Sequence, residues 1–216
     1  MDETPNAAVV TERVSWLDVA AGSAASLVTG VVAGGLAGFV WGGVGGRIAM
    51  RVIFLTSDES VRGFTSDDGF EIGRMSFDSV FLVIALTFVG AFLGGGYGVL
   101  RMFLKGPLWA MCAGMAVMVG AAGGALVVNS DGIDFRLLEP LWLAVTMFVA
   151  LPALWGATVP LVTDQILGIN YLFPQRLTGV DAKPFGIVGS LLGWGVVLAL
   201  TVLGVIDLFG DIDRLS

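Results

Sequence analysis

Five long stretches of this sequence contain no charged residue, and they constrain the fold more than any other feature. Each is at least 22 residues long. A helix needs roughly 20 mostly apolar residues to cross about 30 Å of hydrocarbon. The stretches are apolar on every face, whereas strands of a membrane barrel are about 10 residues of alternating polarity. We therefore predict an all-α, polytopic integral membrane protein with five transmembrane helices, at about residues 19–46, 79–100, 107–128, 140–163 and 185–206.

The composition agrees with a protein whose main partner is the lipid bilayer. Hydrophobic residues make up 56% of the chain and charged residues 13%, with a mean hydropathy of +0.90. Soluble domains carry about 25% charged residues. The formal net charge of −7 argues against nucleic acid as a partner. Since no separate soluble region stands out, we expect a single membrane domain over residues 1–216.

The polar connections predict how neighbouring helices are joined. The longest polar stretch, residues 54–78, separates the first and second predicted helices. Within it, Asp68-Gly69 has hydrophobic residues on both sides, a pattern typical of a β-hairpin. We therefore predict a short β-hairpin-like loop here. The link at residues 101–105 is short enough that the second and third helices should form an antiparallel hairpin.

Small residues recur at every fourth position inside the predicted helices. Helices in lipid associate through van der Waals contact, and small residues at this spacing let their backbones approach closely. We predict glycine-mediated helix packing at Gly30, Gly34, Gly38, Gly42 and Gly46 in the first helix, Gly90, Gly94 and Gly98 in the second, and Gly120 and Gly124 in the third. Such a stripe drifts slowly around an α-helix. That drift favours contacts with partner subunits in addition to packing within one chain.

Charged residues next to the predicted helix ends form a candidate site at one membrane face. Arg47 and Arg51 lie four residues apart, on one face of a helix. Guanidinium groups near hydrocarbon need a carboxylate partner or a route to the interface. Two interpretations stay open: interfacial anchoring, and a charged vestibule for an ion, a lipid head group or an anionic solute. The candidate residues are Arg47, Arg51, Asp78, Glu139 and Asp207.

The sequence offers little material for catalysis. It has no histidine, the commonest general base and a frequent metal ligand. The single cysteine, Cys112, lies in an apolar run, where we interpret it as a small packing residue. We predict no catalytic residues, no metal site and no cofactor, and we do not expect an enzyme.

Two functional classes remain. The first is a non-catalytic structural or accessory subunit that packs through its glycine stripes. The alternative is a small oligomeric channel or transporter for an ion or small solute, with a charged vestibule on the acidic face. Pro152 and Pro160, which interrupt the fourth helix, favour the alternative. In either case we expect a homo-oligomer or a membrane-protein partner.

The charges also suggest an orientation in the membrane. Lysine and arginine are nearly balanced between the two sides, so the positive-inside rule decides little. The short 101–105 link is basic, however, and most acidic residues fall on the opposite side. We expect a multi-pass protein of the cell membrane with a cytoplasmic N-terminus and an external C-terminus.

Overall fold

A computed structural model describes residues 16–57, 77–128, 140–168 and 186–215, and all secondary structure in these ranges is helical. The chain forms α1 (Trp16–Ala37), a π-helical segment (Gly38–Gly45), α2 (Gly46–Thr56), α3 (Phe77–Leu100), α4 (Leu108–Val127), α5 (Leu141–Leu167) and α6 (Gly186–Leu215). The first three are continuous. They form one of the five helices that are long and apolar enough to cross a membrane. The predicted all-α fold is confirmed for the described residues, and the five predicted spans correspond to helices long and apolar enough to cross a membrane.

Several helices extend past the ends predicted from the first charged residue. The first spanning helix continues beyond residue 46 to Thr56, and the last continues beyond residue 206 to Leu215. Hydropathy detects the edge of the hydrocarbon, whereas a helix continues as long as one face finds a packing partner. In α2 that face is formed by Ala49 and Ile53, which are both buried. The loop predicted at residues 54–78 therefore begins later, and its proposed hairpin lies outside the described residues.

The five spanning helices pack in a simple order. The first lies along α3, and both α1 and the π segment also contact α5. α5 also packs along α4, and α4 in turn packs against α6. One buried cluster joins α1, α3, α4, α5 and α6, and runs from Trp155 towards Tyr97 and Leu104 at the end where α3 finishes. A second joins α2 to the end of α4, the start of α5 and the end of α6, around Ile53 and Leu208.

The outer faces of the bundle are apolar. On α3, Phe81, Phe88 and Phe92 are exposed, and on α6 exposed leucines occur along most of the helix. Side chains of this kind face lipid or another membrane helix in a protein that spans a bilayer. The long exposed surface of α6 follows from its position at the edge of the bundle, since α4 is its main helix neighbour.

Candidate functional site

The closest approach between helices lies where α1 meets α3. A Cβ atom built on Gly30 would overlap the carbonyl oxygen of Gly94, and one built on Gly34 would overlap that of Gly90. Seen from α3, a Cβ on Gly90 would lie 2.6 Å from Gly34 O, and one on Gly98 would lie 2.6 Å from Ser26 O. The two backbones are thus in direct contact, and the space between them does not admit a methyl group.

Polar side chains reinforce this contact at one end, and two tryptophan hydrogen bonds join the first spanning helix to α5. The Ser26 hydroxyl donates a buried 3.0 Å hydrogen bond to the carbonyl oxygen of Gly98. The Trp155 indole of α5 donates one of 3.0 Å to Gly34 O. In the π segment, Trp41 Nε1 donates to Thr158 Oγ1, also at 3.0 Å. The first two bonds form because glycine leaves its carbonyl within reach of donors on a neighbouring helix.

The glycine stripe of the first helix meets one neighbour for most of its length. Cβ atoms on Gly38 and Gly42 would both lie close to Leu86 of α3, at 2.6 Å from its carbonyl oxygen and 3.2 Å from its Cβ respectively. A stripe at four-residue spacing drifts around an α-helix in one direction. The π segment has more residues per turn, so the stripe drifts in the opposite direction there and the two rotations offset each other. Gly46 is different, because a Cβ there would meet no described atom within 4 Å.

Other glycines lie at the α4–α5 and α4–α6 contacts. A Cβ on Gly120 would lie 2.9 Å from Ala153 Cβ, and one on Gly124 would lie 2.7 Å from Val149 Cγ2. Two closer approaches were not predicted: a Cβ on Gly156 would overlap Met115 O, and one on Gly204 would lie 2.6 Å from the backbone nitrogen of Ala122. Neither glycine has a glycine, alanine or serine four residues away, so the spacing pattern does not identify them.

The predicted charged residues that the structure describes fall at the end of the bundle that holds the buried cluster of Ile53, Val128, Ala144 and Leu208. Arg47 is half-buried, with Nη1 4.0 Å from Met50 Sδ, and the guanidinium of Arg51 lies 5.5 Å from the centre of the Phe54 ring. Asp207 is exposed on α6, next to Leu208 in the buried cluster that also contains Ile53 of α2.

Two members of the predicted charged set cannot be placed as fully. Asp78 is the second residue of α3, but its side chain is not among those described. Glu139 lies outside the described residues altogether. Arg47, Arg51 and Asp207 therefore share one end of the bundle, while a vestibule that includes all five residues stays a prediction.

A different ionic contact lies at the opposite end, where α3 and α5 finish. Nη2 of Arg101, the residue after α3, donates a 2.8 Å hydrogen bond to Oδ1 of Asp164 near the end of α5. The arginine side chain is 17% exposed and the aspartate side chain 45%. The pair is thus sheltered on the arginine side and reachable on the aspartate side.

Three buried polar atoms of this pair and its chain neighbours have no hydrogen-bond partner among the described residues. They are Nε of Arg101, the hydroxyl of Tyr97 one turn earlier on α3, and the hydroxyl of Thr163, the residue before Asp164. The Tyr97 hydroxyl lies near the Arg101 guanidinium and the Asp164 carboxylate, without the geometry of a hydrogen bond to either. A buried polar group without a partner costs about 1–3 kcal/mol. We call Tyr97, Arg101, Thr163 and Asp164 the polar cluster.

Thr163 differs from the other threonines of the described helices. Those donate a hydrogen bond to the carbonyl oxygen four residues earlier in their own helix; they are Thr29, Thr56, Thr87, Thr146, Thr158 and Thr201. Such a back-bond is the usual way for a helical threonine to satisfy its hydroxyl. Thr163 is fully buried and does not make it. Its hydroxyl is therefore available to a partner outside its own backbone.

The sequence does not single out the polar cluster, because Arg101 and Asp164 each lie one position past a predicted helix, at 100 and at 163. Opposite charges at two helix ends on the same membrane side were a signal for pairing. The sequence alone did not show that the ends of α3 and α5 are neighbours.

The described residues contain no group of three or more cysteine, aspartate or glutamate side chains that could hold a metal ion. Cys112 is half-buried on α4, within electrostatic reach of Asp164. Neither observation identifies a cofactor.

Comparisons with known proteins add no family to these observations. No family model matches the sequence, and neither the curated proteins nor the solved structures contain a match to it.

Proposed function

We propose that this chain is a non-catalytic membrane protein that acts as a structural or accessory subunit and associates with another membrane helix through α6. One observation carries the proposal: α6 presents small residues that nothing in the described chain covers. A Cβ on Gly195 would meet no described atom within 4 Å, and both Gly195 and Ala199 are exposed. Small residues four apart are the pattern by which helices in lipid approach each other closely.

The interior of the bundle supports this proposal by contrast. Where α1 meets α3, the glycines of each helix pack against the backbone of the other, as in a glycine zipper. Gly30 and Gly34 are buried against Gly94 and Gly90. A solute has no space to pass between these two helices. The glycine-packed interior is a rigid support, and the uncovered small residues of α6 are the surface left for a second copy or another membrane protein.

Cysteine cross-linking in native membranes tests the proposal. Because the chain has one cysteine, Cys112→Ala gives a cysteine-free background. Gly195→Cys on α6 should then form a disulfide-linked dimer under mild oxidation, or a defined adduct with a second protein. Gly96→Cys on α3 is the matched control, since Gly96 is also exposed and its Cβ would meet nothing described within 4 Å. It should not cross-link.

A second variant separates association from folding. Gly195→Leu fills the surface of α6 without touching the described interior, so it should abolish the complex in mild detergent and leave the thermal unfolding midpoint unchanged. Equal cross-linking at positions 195 and 96, or an intact complex with Gly195→Leu, would refute association through α6.

A channel or transporter is the alternative, and the spanning helices offer two observations in its favour. The π-helical segment Gly38–Gly45 is a backbone irregularity of a kind frequent at functional sites. Pro152 and Pro160 lie inside α5, where they remove backbone hydrogen bonds at membrane depth. Purified protein in liposomes distinguishes the two classes. Flux of an ion or small solute above that of empty liposomes, reduced by Arg47→Ala, would favour the channel.

We further propose that the protein lies in the cell membrane with its N-terminus in the cytoplasm. The basic residues of the short link after α3, Arg101 and Lys105, support this orientation, since short cytoplasmic loops are enriched in such residues. Reporters fused to each terminus test it. A cytoplasmic signal from the C-terminal fusion would reverse the assignment.

A further inference from the structure

The polar cluster combines features that a structural ion pair alone does not need. Its arginine uses Nη2 for Asp164, while Nε is buried and has no partner among the described residues. The hydroxyls of Tyr97 and Thr163 are also buried and have no hydrogen-bond partner among the described residues, and Tyr97 is 2% exposed. Each of these three groups can donate a hydrogen bond. A hydroxyl donor beside a guanidinium, as Tyr97 is beside Arg101, suits a phosphate group.

We propose that the polar cluster binds the zwitterionic head group of an aminophospholipid, with its phosphate on Arg101 and Tyr97 and its ammonium on Asp164. Asp164 Oδ1 now occupies one donor of Arg101 at 2.8 Å. The phosphate exchanges with this carboxylate, and the 45% exposed aspartate turns to the ammonium. No covalent bond changes. One ion pair within the protein is replaced by two between protein and ligand.

The position of Asp164 explains why a zwitterion fits better than a simple anion. Asp164 lies in the last turn of α5, and its carbonyl oxygen accepts a hydrogen bond from Gly168 N at 3.0 Å. The C-terminus of a helix carries partial negative charge, which disfavours a carboxylate without a cation beside it. An anion that lacks a positive group would bind Arg101 and leave the Asp164 carboxylate without a cation beside it. A ligand with its own ammonium group keeps both side chains paired.

The surroundings of the cluster favour a lipid over a soluble zwitterion. Arg101 and Asp164 lie at the ends of two spanning helices, which is the depth at which head groups sit. On α5, Leu154 and Leu161 are both exposed and are two turns apart, so they line one face of the helix towards Asp164. An acyl chain that lies along these leucines places its phosphate at the end of α5.

Binding of short-chain lipids to the purified full chain in detergent tests the proposal. Dioctanoyl phosphatidylethanolamine should raise the thermal unfolding midpoint and should bind about tenfold more tightly than the phosphatidylcholine or phosphatidylglycerol of the same chain length. The first of these two has no N–H donor and the second has no ammonium group. Soluble glycerophosphoethanolamine, which has the same head group without acyl chains, should bind much more weakly.

Three variants locate the binding. Tyr97→Phe removes one hydroxyl and should weaken phosphatidylethanolamine binding about tenfold, the effect of one hydrogen bond to a charged group. Asp164→Asn should weaken it as much, and should remove the preference over phosphatidylglycerol. Thr201→Val on α6 is the control, since Thr201 already donates to Val197 O within its own helix. It should bind phosphatidylethanolamine as the unmodified chain does.

Several results would overturn the proposal. They are equal affinity for the three lipids, binding that does not respond to Tyr97→Phe and Asp164→Asn, and equal affinity for the lipid and for glycerophosphoethanolamine, which would assign the site to a soluble zwitterion. Circular dichroism of each variant without added lipid checks that it is folded. The cross-linking of α6 is independent of these measurements, so either proposal can fail without the other.

Discussion

The indole nitrogen of Trp155 donates a 3.0 Å hydrogen bond to the carbonyl oxygen of Gly34, and so joins α5 to the tightest helix contact in the bundle. The same nitrogen would lie 3.1 Å from a Cβ atom on Gly90. Trp155 therefore rests on the glycines of both α1 and α3. One side chain links three spanning helices, and it does so because the two glycines leave their backbones uncovered.

Replacing Trp155 with phenylalanine should lower the free energy of unfolding by about 2 kcal/mol. Hydrogen bonds between membrane helices contribute about 0.6 kcal/mol on average and up to about 1.7, and the smaller ring also leaves a gap in a buried site. Denaturation in mixed detergent micelles measures the change. Trp109→Phe is the control, because Trp109 is 74% exposed and its replacement should have little effect. Equal effects at the two positions would contradict this role for Trp155.

Gly34→Ala should destabilise the protein by about 3 kcal/mol, at the upper end for overpacking a buried contact. The added methyl group would overlap the carbonyl oxygen of Gly90, which belongs to a helix backbone and cannot move aside alone. Gly46→Ala makes the same chemical change where no described atom lies within 4 Å of the new Cβ. It should be neutral or stabilise the helix by up to about 1 kcal/mol. The same unfolding assay compares the two, and similar losses would show that α1 does not depend on backbone contact with α3.

The number and type of helices could be predicted from the sequence, while their ends and neighbours could not. Hydropathy is a local property, so each apolar stretch identifies its own span. Helix ends depend on packing: α2 runs past Arg47 and Arg51 to Thr56 because Ile53 and Ala49 find a buried position. Small residues at four-residue spacing identify the face of a helix that packs closely. They do not identify the neighbour, which for Gly30 is α3.

The π segment should control which face of α2 meets the rest of the bundle. Its wide turns hold about one residue more than α-helical turns of the same total rotation. Deleting Val40, whose side chain is exposed, should therefore convert the segment to an α-helix and leave Ile53 in its buried cluster. Inserting an alanine after Val40 should instead rotate α2 by about 100° and carry Ile53 out of that cluster. A cysteine at position 53, in the Cys112→Ala background, should react slowly with a thiol reagent after the deletion and faster after the insertion, and equal reactivity in the two variants would contradict the prediction.

The candidate sites show the same limit of sequence reasoning. Arg47 and Asp207 could be assigned to one end of the bundle from the number of spans alone. They follow the first and the fifth predicted span, and an even number of crossings between them returns the chain to the same side. Arg101 and Asp164 could be assigned to one side by the same rule. Their pairing, and the buried hydroxyl of Tyr97 beside them, depend on which helices are neighbours in three dimensions. That information comes from the packing of α3 and α5 against the rest of the bundle.

Arg101 and Asp164 should show a measurable coupling energy in a double-mutant cycle. The variants are Arg101→Gln, Asp164→Asn and the pair together, with the free energy of unfolding as the measured quantity. We expect about 1 kcal/mol, the upper range for a partly exposed pair, because the contact is short and the arginine is sheltered. The coupling should fall in high salt, since solvent reaches Asp164. The control pair is Arg214 and Asp211 of α6, whose Nη1 and Oδ1 lie 3.7 Å apart. We expect a coupling energy of about 0.3 kcal/mol for it. A coupling between Arg101 and Asp164 no larger than that of the control would show that the two charges do not hold α3 and α5 together.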